Sequence, residues 1–273
     1  MIIKFRIYLV NTLRTLLFLF FSRFASRTQA RLLEAILRVQ GYNNFQNFEL
    51  SGEEFFISKI LAPLNPKVCI DVGANCGDYS NELLIRTNAK IFAFEPLPQE
   101  YSYLAKRFTD YRDRFIGINM GLGSKVEKNM IYFSPERTGH ASYVSEIKKI
   151  NYVENDSEVQ VPTTTLDAFV QERKIARIDL IKIDVEGYEK EVLQGALKTI
   201  SICKPQFIQI EMNWHQLIRG TSLLYFADLL PEYKVCQLIK NGWIERNPIE
   251  PLSNLYLYSN FVFVHKSSQT LVN

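Results

Sequence analysis

Asp71, Gly73, Ala74, Asn75 and Gly77 fall in the run V-C-I-D-V-G-A-N-C-G, residues 68–77. An apolar stretch that ends in an acid and opens into glycines reads as a buried strand, a tight turn and a helix. Glycine at those points lets backbone approach a ligand that a Cβ would repel. About twenty residues on, I-F-A-F-E-P ends a second strand in Glu95, where a carboxylate can grip a ribose diol. Together these predict a nucleoside-containing cofactor across the ends of parallel strands. The spacing D-x-G-x-x-x-G departs from the G-x-G-x-x-G turn that seats a pyrophosphate. An acid ahead of the turn repels phosphate and suits a ligand with an amino group or hydroxyls, such as S-adenosylmethionine. Asn119, at the end of a third strand, is placed either to face an adenine or to form a turn beside Gly121.

A second feature is I-K-I-D-V-E-G-Y-E, residues 181–189. Lys182 inside a buried strand needs a partner. Asp184 comes at the strand end beside the cofactor crevice, and Glu186 is expected to cap the next helix. Such crowding of charge at one sheet edge marks a working site. Asp184 and Glu186 are the candidate catalytic acids, and His140, in T-G-H-A-S, is a candidate general base. Glu211, Asn213, Trp214 and His215 follow a later strand at the same edge. With Asp184 they would suit Mg²⁺, although no spacing demands a metal and none is assigned. Tyr143 and Trp214 are candidate walls for a sugar.

The elements that position these residues alternate. Strands are expected at Val68–Val72, Ile91–Glu95, Phe115–Asn119, Ile178–Ile183, Phe207–Glu211, Lys234–Ile239 and Phe261–His265. Helices are expected at Asp78–Arg86, Pro98–Phe108, Glu186–Ile200 and Leu223–Leu230, and another starts at Thr165. This pattern argues an α/β, doubly wound parallel sheet. Met130–Phe133 and Val159–Thr164 form a β insertion after the third strand. Ser51-Gly-Glu-Glu54 offers a capping box. Residues 1–50 read as an N-terminal helical extension and 51–273 as the main domain.

With 273 residues, 47% hydrophobic and 22% charged, the chain can bury a sizeable core. A net charge of +3 gives no argument for nucleic acid. Cys69, Cys76, Cys203 and Cys236 show neither metal nor disulfide spacing, which fits a reducing cytoplasm. Lys4, Arg6, Arg14, Arg23, Arg27 and Arg31 precede the first acid, Glu34. The apolar run Leu16–Phe21 is too short to span a bilayer. Residues 1–31 suit a peripheral helix on the inner membrane face, or a helix docked on the domain or on a partner subunit.

The elements D-V-G-A-N-C-G, F-E-P, T-T-T-L-D and K-I-D-V-E-G-Y-E-K-E-V-L-Q-G-A, in this order, resemble the FkbM family of S-adenosylmethionine-dependent methyltransferases. The likeness runs from about Val68 to about Glu211. It implies a class I methyltransferase fold, Rossmann-like with a mostly parallel seven-stranded sheet, and O-methylation of sugars or natural-product hydroxyls. It also implies that Asp71, Gly73, Asn75 and Gly77 form the cofactor loop, that Glu95 is the ribose acid, and that Asp184, Glu186 and Gly187 form the family's second motif. A NAD- or nucleotide-sugar-linked oxidoreductase shares the strand-acid pattern but wants a phosphate loop that the chain lacks. A non-catalytic cofactor-binding protein is the remaining alternative.

Overall fold

The structure, a computed structural model, describes residues 2–23 and 26–268, with side chains from residue 11 onward. Lys4 and Arg6 therefore lie outside the described side chains. Helices α1 (Ile2–Phe21) and α2 (Ser26–Val39) come first. Leu13, Leu16, Leu17, Phe18, Leu32, Leu33, Ile36 and Val39 are exposed on them. Close packing on the domain begins at Gly41, upstream of the boundary expected at residue 51. A Cβ on Gly41 would lie 2.4 Å from the Leu238 carbonyl oxygen, and the Tyr42 hydroxyl donates to Leu252 O at 2.5 Å.

The 51–54 capping box does not form. Gly52, at φ 84°, precedes α3 (Glu53–Phe55) without a side-chain cap, because the Ser51 hydroxyl donates to the Glu53 carboxylate at 2.8 Å instead. A π-helical turn, Phe56–Leu61, follows.

The chain then alternates as expected: β1 (Val68–Val72), α4 (Asp78–Arg86), β2 (Lys90–Phe94), α5 (Pro98–Arg107) and β3 (Phe115–Ile118). The insertion is a separate three-stranded sheet of β4 (Gly121–Leu122), β5 (Glu127–Phe133) and β6 (Ser157–Thr164). After it come α6 (Leu166–Arg173), β7 (Leu180–Ile183), α7 (Glu189–Gln194), α8 (Leu197–Cys203) and β8 (Phe207–Met212). The chain ends through α9 (Trp214–Arg219), α10 (Leu223–Leu229), β9 (Tyr233–Ile239), β10 (Gly242–Glu245) and β11 (Ser259–His265). The Thr165 hydroxyl caps α6 by accepting from Ala168 N at 3.0 Å.

The main sheet runs β10-β9-β11-β8-β7-β1-β2-β3. It holds the seven expected strands and an eighth, β10, which hairpins onto β9 at the edge. β1 pairs in parallel with β2 and β7, and β11 runs antiparallel to both its neighbours. The fold is the class I methyltransferase architecture. Strand order reverses between β1 and β7, and the crevice beyond their carboxyl ends is where such sheets take ligands.

Alternate strand residues feed two apolar layers. Ile70, Val72, Ile181 and Ile183 join Phe169, Val192 and Phe226 on one face. Cys69, Ile91 and Leu180 join Phe56, Leu83 and Leu104 on the other.

Candidate active site

A cavity of about 350 Å³ opens at that crevice, within the ~300–1,000 Å³ of small-molecule sites. Gly73, Ala74 and Asn75 form one wall, Glu95 and Pro96 the next, and Lys182, Asp184 and Glu186 a third. The insertion closes it with Thr138, Gly139, Ala141 and Tyr143.

The loop after β1 is shaped by its own neighbours. Gly73 has φ 81°, and a Cβ there would lie 1.8 Å from the Asp184 carbonyl oxygen. Its glycine is thus demanded by backbone from the β7 loop rather than by a ligand. The N–H groups of Gly73 and Ala74 both donate to Phe94 O at 3.0 Å, tying the loop to β2. Asn75 sits at φ 46°, a conformation that asparagine tolerates. Its N–H donates to Glu95 Oε2 at 2.7 Å, while Leu97 N–H donates to Oε1 at 2.8 Å. Burial raises the Glu95 carboxyl, these two donors oppose it, and the balance is about 7.

Three residues read as cofactor contacts stand away from this wall. Asp71 shares its strand face with Cys69, is fully buried under α4, and accepts from the Ser80 hydroxyl at 2.7 Å. Gly77, at φ 86°, makes room for Leu104, whose Cδ1 would be 2.5 Å from a Cβ there. Asn119 donates its amide N–H groups to Glu95 O and Pro96 O at 2.9 and 3.0 Å. It therefore braces the Glu95 turn.

Glu186 does not cap a helix. It takes φ 52°, Gly187 takes φ 98°, and α7 begins only at Glu189. The bulging loop is held by Glu189, which accepts from Val185 N at 3.3 Å and Gly187 N at 3.1 Å. Burial, partly offset by hydrogen bonds from its own N–H and that of Gly187, lifts Glu189 to about 7. The Ser142 hydroxyl donates to Glu186 O at 2.6 Å. The Glu186 carboxylate lies between two imidazoles, with His215 Nδ1 at 2.6 Å and His140 Nδ1 at 3.6 Å. Burial pushes Glu186 up, but the imidazoles outweigh it and hold the carboxyl at about 2. Contact with Glu186 in turn raises His140.

A polar row runs beneath the cavity on the α4 face. Lys182 pairs with Asp184 at 2.9 Å and lies in register with Asp71 and Gln209. Burial works against the Lys182 charge, yet the carboxylates of Asp184, Asp71 and Glu53 outweigh it and raise its pKa. Gln209 donates to Glu53 Oε1 at 2.8 Å and accepts from the Tyr79 hydroxyl at 2.6 Å. Glu53, Tyr79, Gln209 and Glu189 went unrecognised in the sequence, because their partners are distant along the chain or follow an irregular loop. Tyr143 takes the wall position expected of it, whereas Trp214, 47% exposed on α9, is outside that wall.

Residues 71–233 match the methyltransferase FkbM domain. The hexuronic acid methyltransferase AglP of Haloferax volcanii is 27% identical over 195 residues, 70% of this chain and 72% of that protein. The 2-O-methyltransferase NoeI of Sinorhizobium fredii is 27% identical over 188 residues, 64% of this chain and 75% of that protein. The methyltransferase sdnD of Sordaria araneosa is 31% identical over 160 residues, 49% of this chain and 61% of that protein. The matched segment runs from the strand that carries the cofactor loop, through the insertion and the Asp184–Glu186 loop, into β9, and the chain belongs to the FkbM family of S-adenosylmethionine-dependent methyltransferases.

Proposed function

We propose that the chain transfers the methyl group of S-adenosylmethionine to a hydroxyl of a sugar, glycan or glycolipid. The observation that carries this reading is one cavity that puts Gly73–Asn75 and Glu95 opposite Asp184 and Glu186. The names of two relatives, for hexuronic acid and for 2-O-methylation, support it. The sulfonium methyl is already electrophilic. The protein has to align the acceptor oxygen with the S–CH₃ bond and take up its proton while the C–O bond forms and the C–S bond breaks. In this reading Glu95 holds the ribose diol, Gly73–Asn75 lie along the cofactor, and Asp184 orients and deprotonates the acceptor. His140, on Glu186, is the second candidate base. Residues 51–273 are the methyltransferase domain, with 41–50 packed onto it. Mass spectrometry of glycans from cells with and without the protein tests the reading. A methyl group missing from one sugar when the gene is deleted is expected, and an unchanged methylation pattern counts against it.

Glu95 makes donor binding pH-dependent. A ribose diol donates its protons, so it binds the ionised carboxylate, and a folded pKa of about 7 leaves Glu95 mostly protonated at lower pH. Affinity for S-adenosylhomocysteine should rise about tenfold between about pH 6 and pH 8. Calorimetry checks this, and Glu95→Gln should flatten the dependence.

The N-terminal helices present exposed Leu and Phe beside the exposed Arg14, Arg23, Arg27 and Arg31. Among the described residues no helix is long and apolar enough to cross a membrane. We propose that they rest on an anionic membrane surface, on the cytoplasmic face, where each basic side chain contributes about 1 kcal/mol. The full chain should float with anionic vesicles at low salt, and a chain starting at Gly41 should not. If neither floats, the helices are docking elements.

A further inference from the structure

We propose that Asp184, Glu186 and Glu211 form a binding site for a divalent cation of the Mg²⁺ and Mn²⁺ class. One carboxylate oxygen from each lies within 4.8 Å of the others. Oxygens on opposite sides of a hard cation stand about 4 to 5 Å apart, twice a bond of about 2.1–2.5 Å, so small side-chain rotations close the set. Three different segments supply the ligands: the end of β7, the bulging loop after it, and β8. All-oxygen donors select hard cations.

His215 provides an independent observation. It is 1% exposed, and neither of its ring nitrogens has a hydrogen-bond partner. Its Nδ1 nevertheless stands 2.6 Å from Glu186 Oε2. A buried imidazole left in this way is costly unless something else meets it.

The other groups facing the cluster are accounted for. Lys182 holds Asp184 Oδ2. Asn213 spends its side-chain oxygen capping α9 through His215 N, which fixes its NH₂ toward Glu211 at 3.1 Å and Glu186 at 3.4 Å. His140 stands 3.6 Å from Glu186 on the other side. A cation here would have coordination positions left for the hydroxyls of an acceptor. That use rests on the methyl-transfer reading, whereas binding of the ion does not.

Electron paramagnetic resonance of Mn²⁺ titrated into the full-length protein tests the site without an activity readout. One saturable Mn²⁺ per chain is expected, displaced by Mg²⁺ and weakened about tenfold or more in Glu211→Gln. Asp184→Asn serves as the second variant if Glu211→Gln does not fold. No saturable binding below about 1 mM Mn²⁺ overturns the site. Unchanged affinity in a folded variant also overturns it. Mn²⁺ bound at this site by a protein that methylates no sugar counts against the proposed function and not against the ion.

Discussion

Gly73→Ala should abolish measurable S-adenosylhomocysteine binding and destabilise the fold. At φ 81° an added Cβ would fall 1.8 Å from the Asp184 carbonyl oxygen. The obstacle is backbone on both sides, so no side-chain rotation relieves it. A left-handed alanine alone costs about 1 kcal/mol, and the overlap brings the total to about 3–5 kcal/mol. At about 2–4 °C per kcal/mol for a chain of this size, the Tm should fall by about 10 °C. The change also pushes the β1 loop from the β7 loop, the two walls that have to face each other. Gly139→Ala is the control for stability: nothing lies within 4 Å of a Cβ there, and its Tm should match the wild type. A Gly73→Ala protein that melts and binds normally would show that the two loops move independently.

Asp184→Asn should leave donor affinity within a few-fold of wild type while lowering turnover about 10²-fold or more. The substitution keeps the shape of the wall and removes one charge. Lys182 keeps Asp71 and Glu53 as charge partners, so the buried ammonium is not stranded and the fold should survive. Separate calorimetry and single-turnover assays distinguish the two effects. An unchanged rate removes Asp184 from the chemical step.

Much of this arrangement was legible in the sequence because it is local. The bounds of β1 and α4 follow from V-C-I-D-V and from the polar turn at Ala74–Gly77. Strand parity is informative as well. Asp71 alternates with Ile70 and Val72, so it had to share the α4 face with Cys69. The acids after β7 depart from the helix start expected at Glu186 for a physical reason. E-G-Y-E resembles the start of a helix, but Glu186 and Gly187 both take left-handed backbone, and the Glu189 carboxylate satisfies the N–H groups this exposes. The long helix expected over 186–200 also breaks at Gly195, where a Cβ would lie 2.0 Å from Gly123 O. The row of Glu53, Tyr79, Gln209 and Lys182 joins segments far apart along the chain, and no local pattern announces such a meeting.

The insertion separates the two sides of the cavity along the chain. Residues 134–156 reach the Asp184–Glu186 wall through Ser142 on Glu186 O and His140 beside the Glu186 carboxylate, and Asn155 fastens that stretch by donating to His140 O at 2.7 Å. In the proposed reading the donor lies along other segments, the loops after β1 and β2. In the proposed reading, changes within 134–156 alter the acceptor side of the cavity, while the loops after β1 and β2 keep their own anchors, Gly73 and Ala74 on Phe94 O and Glu95 on the N–H groups of Asn75 and Leu97.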